Sequence, residues 1–268
     1  MDRIGDGIAI MVEESAGSRH AGVSLLFAGG SRPDADAIAL LASQSAQADG
    51  SDVVGFSISH RPTERPYWLE LLALGLTFDL QGLAPGVPAN SAKPAYAFSL
   101  PLAEAQGLEG LTLRPGPHLA AGSTLLPVIR AMAALARELA RLPGVIAVGW
   151  EPARTAMTPD YYRRVVSAWL MGGAFPGLGL CALNRLGDGA VESDGLAFFT
   201  GHEIRLEPLA GESPADAARF AIRVIHDLVE NGPYPSGRID GPGGVGLNCE
   251  FNANGAELRI TRGGKPTG

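Results

Sequence analysis

Val245-Gly246-Leu247-Asn248-Cys249-Glu250-Phe251-Asn252 alternates apolar residues with glycine or polar ones at every step. A strand points successive side chains to opposite faces, so this period of two marks a strand with one buried face. Asn254-Gly255 follows. Both residues tolerate a positive φ, and the pair predicts a tight type I′ turn. Leu258 and Ile260 then supply the returning strand. A two-strand hairpin is antiparallel by necessity, whereas parallel neighbours need a crossover of a dozen residues or more. The end of the chain therefore argues against a doubly wound parallel sheet.

The same grammar extends upstream. Ser213-Pro214-Ala215-Asp216 combines an N-cap residue, proline in the first turn and an early carboxylate, which opens a helix with Phe220, Ala221, Val224, Ile225, Leu228 and Val229 inward. Ile204 and Leu206 alternate with Glu203, Arg205 and Glu207 as a half-buried strand. Segments 178–185 and 191–199 pair through Gly187-Asp188-Gly189. Thr158-Pro159-Asp160 starts a helix that runs to about Leu170. The strongest helical periodicity spans Leu125 to Leu142, with Arg130, Arg137 and Arg141 together on its polar side. Strands are expected at Val23–Phe27, Val53–Ser59, Leu74–Leu80, Ala95–Leu100 and Val145–Trp150, with a helix reaching Gln47. Pro115 and Pro117 argue against regular structure across 107–122.

Hairpins separated by single helices predict an α+β fold: a largely antiparallel sheet with helices packed on one face. The Gly-, Pro-, Ala- and Asn-rich run 82–94 is either a boundary between an N-terminal segment 1–94 and a C-terminal domain 95–262 or a loop inside one domain. Residues 263–268 read as a flexible tail.

Composition narrows the function classes. Hydrophobic residues make up 46% and charged residues 18% of 268, which fits a packed core. The net charge of −7 gives no general attraction for nucleic acid or an anionic membrane. The two cysteines, Cys181 and Cys249, lack CxxC spacing and fit a reducing compartment. Met1 to Gly7 carries no basic region or apolar run of a leader, and no stretch of 18 apolar residues occurs. A soluble, cytoplasmic protein is expected, without cofactor or metal.

Motifs with chemical meaning are sparse. Gly177-Leu178-Gly179-Leu180-Cys181-Ala182 fits GxGxxA, but a dinucleotide site needs a strand before it and a helix after it. Here the order is reversed, and close backbone packing is the simpler role. His202-Glu203 has no second histidine four residues on, because Leu206 stands there. The strand-end loop Trp150-Glu151-Pro152-Ala153-Arg154 brings Glu151 and Arg154 into consideration, since such loops often carry function. The catalytic candidates are therefore Glu151, Arg154, His202 and Glu203. His118, Ser123 and Thr124, ahead of the long helix, are candidates for holding an anion at its free amides, and simple capping by Ser123 or Thr124 is the plainer alternative. His226 reads as a surface partner of Glu230 four residues on. Cys181 and Cys249, in strand register, read as small core side chains.

Four runs together resemble a known family: 147–153 (Ala-Val-Gly-Trp-Glu-Pro-Ala), Met157-Thr158-Pro159-Asp160-Tyr161-Tyr162, Phe175-Pro176, and 195–204, from Gly195-Leu196 to His202-Glu203-Ile204. The chain is similar, across roughly 95–208, to the bacterial family known as domain of unknown function 4261. That resemblance implies a strand ending in tryptophan, a Thr-Pro helix start and a hairpin approaching an acidic residue. It brings no activity and no catalytic residues with it. The expected function is a non-catalytic protein that binds a partner protein or small ligand. The alternative is a hydrolase- or transferase-like enzyme, which requires Glu151, Arg154 and His202 to converge in one concave pocket.

Overall fold

The computed structural model describes residues 22–47 and 53–263. The expectations about a leader and a tail fall on 1–21 and 264–268, outside the described residues.

In chain order the elements are β1 (Val23–Phe27), α1 (Ala35–Gln47), β2 (Phe56–His60), β3 (Trp68–Ala73), β4 (Leu76–Gln81), β5 (Tyr96–Phe98), α2 (Leu102–Ala105), β6 (Glu109–Pro115), α3 (Leu126–Leu139), β7 (Val145–Trp150) and β8 (Thr155–Met157). There follow α4 (Pro159–Leu170), β9 (Ala182–Arg185), β10 (Val191–Asp194), α5 (Ala197–Thr200), β11 (Glu203–Leu206), α6 (Pro214–Asn231), β12 (Gly237–Gly241), β13 (Val245–Phe251) and β14 (Glu257–Arg262). The strands form two mixed, mostly antiparallel sheets, ordered β2-β3-β4-β6-β1-β7-β8-β5 and β12-β13-β14-β11-β10-β9. The fold is α+β. Its parallel pairs among the described strands are β5 with β8 and β11 with β14.

The helix starts follow the chemistry of their sequences. Asp34 accepts the amides of Asp36 and Ala37 at 3.1 and 2.9 Å and so caps α1. Thr158 accepts the Tyr161 amide at 3.3 Å, and Ser213 accepts that of Asp216 at 3.2 Å, each ahead of a proline in the first turn. Leu25, Phe27, Leu111, Leu113 and Val148 face the core together with Ile129, Met132 and Leu135 of α3. The inward face of α6 adds Phe220, Val224 and Leu228, opposite Leu247, Leu258 and Ile260 of the second sheet. Helices α1, α3 and α4 pack against the first sheet, and α6 against the second. The four-residue α2 lies on the face of the first sheet opposite α3, where Ala105 packs with Leu26, Ala147 and Ala156.

Several local expectations need correction. Residues 109–115 form β6, an inner strand between β4 and β1. Pro115 is tolerated there because it is the strand's last residue, beyond most of the ladder. The strand expected at Leu74–Leu80 is β4, and the unforeseen β3 pairs with it in a hairpin that turns through Leu74 (φ 51°) and Gly75 (φ 77°). Strands from both sides of residue 94 hydrogen-bond into the same sheet: β1 pairs with β6 and β7, and β4 with β6. The run 82–94 is thus a connection inside that sheet, held by Ala89 bridging to Gly110. Ser123 and Thr124 do not cap α3; Leu125 occupies the N-cap with no side-chain bond.

Candidate functional site

The four catalytic candidates engage separate partners. Glu151 is buried at the end of β7, where it accepts the Ser24 hydroxyl at 2.8 Å and Arg114 at 2.9 Å. Gly22 makes this possible, because a Cβ there would collide with the Glu151 carboxylate. Arg154 turns the other way from a left-handed backbone position (φ 51°) and reaches Asp194 at 3.4 Å. Asp194 also accepts Tyr96 at 3.0 Å, so this contact ties β5, at the edge of the first sheet, to β10 of the second. His202 is 3% exposed, edge-on to Phe251 with ring centroids 5.0 Å apart, and its Nε2 has no partner. Burial holds its pKa below the usual histidine range. Glu203 takes the Ser193 hydroxyl at 2.6 Å and the amides of Gly195, Leu196 and Ala197 at 2.9, 3.0 and 3.1 Å. It is an acceptor for the start of α5, a structural role for a carboxylate beside free amides.

No side-chain hydrogen bond or ion pair joins any two of these four among the described residues. Each of the four contacts groups outside this set: Ser24 and Arg114 for Glu151, Asp194 for Arg154, Phe251 for His202, and Ser193 for Glu203. Between their positions lies an aromatic chain instead. Trp150 stacks on Phe199 at 5.9 Å, Phe199 meets Phe175 at 4.9 Å, and Phe175 meets Trp169 at 5.5 Å. The strand-end loop and its surroundings are therefore a packed junction between the sheets.

The other candidates also settle into structural positions. His118 sits on the surface with Nε2 3.0 Å from the Thr77 hydroxyl. His226 does not pair with Glu230. Its Nδ1 accepts the Phe175 amide at 3.2 Å, while Glu230 accepts Trp169 Nε1 at 3.0 Å. Cys181 is fully buried, and burial pushes its thiol well up, with Glu203 and Asp194 adding to the shift. Burial pushes Cys249 up to about 11. Both thiols are thereby poor nucleophiles. Gly179 (φ 128°) lies against Met157 Sδ, the close approach expected for the GxGxxA run. No group of three His, Cys, Asp or Glu that could hold a metal occurs among the described residues. No helix there is long and apolar enough to cross a membrane.

Basic side chains do converge between α3 and α4. A cavity of about 300 Å³ is lined by Arg137, Glu138 and Arg141 from the end of α3, and by Asp160, Arg163, Arg164 and Ser167 from α4, with Val53 at its rim. Helical periodicity puts Arg137 on the solvated side of its helix, yet it is 5% exposed. The reason is tertiary: α4 covers that side, and Arg137 Nη1 donates to Ser167 across the helix pair at 3.1 Å. Glu138, 3% exposed, is the hub. It accepts Arg137 at 2.9 Å, Arg141 at 3.2 Å and the Val54 amide at 3.4 Å. Arg163 leans to Asp160 at 3.8 Å, and Arg164 lies 5.3 Å from the Tyr161 ring centroid.

Four arginines face two carboxylates here, a formal excess of two positive charges in a chain of net charge −7. Each guanidinium carries five N–H donors in a planar fork, suited to carboxylate or phosphate oxygens. Sequence reasoning does not single out Arg163, Arg164 or Ser167. The signal that could have found them is the two arginine groups, 137/141 and 163/164, on neighbouring antiparallel helices. Compared with known proteins, the chain matches no family model, no curated protein and no solved structure.

Proposed function

We propose that this chain is a ligand-binding protein that holds an anionic group between α3 and α4. One observation carries the reading: Arg137, Arg141, Arg163 and Arg164 line a single concave space with the Ser167 hydroxyl beside them. Arg137 is buried and tied to Glu138 and Ser167, so this part of the wall needs little ordering when an anion arrives. Arg141 commits one amino group to Glu138, and Arg163 one to Asp160, so N–H donors on the same forks face the cavity. The low exposure of Arg137 and Glu138 strengthens electrostatic contacts relative to open water.

The test is thermal unfolding in inorganic phosphate against chloride of equal ionic strength. Binding to the native state alone raises the midpoint, and at a hundredfold excess over Kd the gain is about 2.7 kcal/mol. Phosphate is expected to raise Tm by several degrees, and the double variant Arg163→Gln, Arg164→Gln to abolish the rise. A phosphate effect no larger than that of chloride overturns the reading, as does a rise that the double variant retains.

A further inference from the structure

The arginine cavity has a neighbour on the far side of Arg137. A second hollow of about 470 Å³ also has Arg137 in its wall, and continues along the same two helices toward Pro127 on α3 and Met171 after α4. Its lining changes character to Val54, Leu74, Leu76, Ala131, Ala134 and Leu170. Val53 borders the first hollow and Val54 the second, so a single chain segment rims both. Between Pro127 and Glu138 the helix rises about 17 Å at 1.5 Å per residue. The first hollow is mainly basic, and the second is apolar apart from Arg130 and Arg137.

Two features of the apolar end set it apart from ordinary core. Leu74 is 62% exposed and Met171 71% exposed, on opposite banks. Each is a large apolar side chain standing in water at the edge of a concave apolar floor, where Ala134 is 1% exposed. Arg130 also lines this stretch, but its guanidinium is turned to the α4 terminus, donating to Trp169 O at 3.0 Å and lying 4.8 Å from the Trp169 ring centroid. Its aliphatic stem adds to the apolar wall.

Resting on the anion-binding reading above, we propose that the ligand is a single-chain amphiphile. Its anionic head, a carboxylate or phosphate, sits among Arg137, Arg141, Arg163 and Arg164, and its hydrocarbon chain lies along the apolar stretch between Leu74 and Met171. Charge complementarity fixes the head at the basic end, and the apolar hollow on the other side of Arg137 sets the direction of the tail, which passes over the buried Arg137 side chain. Met171 is unbranched and polarizable, which suits contact with chains of varied length.

Titration calorimetry with acetate, octanoate and laurate, all below micelle-forming concentrations, tests this, with monododecyl phosphate run beside laurate to separate the two heads. Burying a methylene tightens binding by up to about fourfold, so affinity is expected to climb by about two- to fourfold per methylene. The double variant Leu74→Asp, Met171→Asp changes exposed positions, and aspartate tolerates the left-handed backbone at residue 74. It is expected to weaken laurate at least tenfold and leave phosphate binding unchanged. Affinity independent of chain length, or laurate binding that survives this double variant, overturns the amphiphile while phosphate binding still stands. Loss of phosphate binding as well, in the unmodified protein, overturns the anion site itself.

Discussion

Glu203 accepts the Ser193 hydroxyl at 2.6 Å across the β10–β11 pair, and the same carboxylate closes the first amides of α5. A strand side chain thereby fixes the turn that presents Phe198 and Phe199 to Trp150. Glu203→Gln keeps one acceptor oxygen but aims an amide group at N–H donors. A group left unsatisfied in such a place costs about 1–3 kcal/mol. Urea unfolding is expected to show that loss as a lower midpoint at unchanged m-value, with Glu203→Ala losing more. Variants within about 0.5 kcal/mol of the parent would mean that the α5 turn holds without the Glu203 carboxylate.

His202 gives stability a pH dependence of definite sign. Burial lowers its folded pKa below the unfolded value near 6.5. The unfolded chain therefore binds the proton first as pH falls. Stability is full above about pH 7 and declines from there down to the folded pKa, with a slope no steeper than about 1.4 kcal/mol per pH unit for one proton. Asp79, raised by burial and then by Glu70, gives a slope of opposite sign at lower pH. The informative quantity is therefore the difference between parent and His202→Leu, which is expected to flatten the curve between pH 7 and 5. Parallel curves for the two proteins would show that His202 does not titrate on unfolding.

The caps of α4 and α6 lie on separate helices with no shared partner. Thr158→Ala and Ser213→Ala are each expected to cost about 1 kcal/mol, or roughly 2–4 °C in Tm for a chain of this size class. The double variant is expected to lose the sum within about 0.5 kcal/mol. A larger combined loss in thermal unfolding would reveal coupling between the two helices.

Where local chemistry decides conformation, the sequence is readable. Val23–Phe27, Thr158-Pro159 and Ser213-Pro214 carry their own instructions, and each sits where its residues direct. The Asn254-Gly255 hairpin forms, but not through the expected type I′ turn: of the two residues only Gly255 takes a positive φ (71°), and the Asn252 amide bonds to Glu257 O across a longer loop. Leu74 is different. Leucine rarely takes a positive φ, and only the surrounding β3–β4 ladder holds it there. The burial of Arg137 is likewise invisible in helical periodicity, because α3 is covered on both sides, by the sheet and by α4. Glu151 reads as an open loop residue in sequence, and only the missing side chain of Gly22 makes room for its burial. In each case the deciding contact comes from a distant part of the chain, and the candidate site rests on such contacts.

The pairing of β1 has a consequence for biosynthesis. Val23–Phe27 is buried throughout, and its two neighbours arrive only with Glu109–Pro115 and Val145–Trp150. At roughly 5–20 residues per second, a ribosome needs about 6–25 s to go from Phe27 to Trp150. Both edges of a sticky pentapeptide stay open until Pro115 is made, and one edge until Trp150, so the nascent chain, more than the finished molecule, is where this fold is exposed to misassembly and would profit from a holding chaperone.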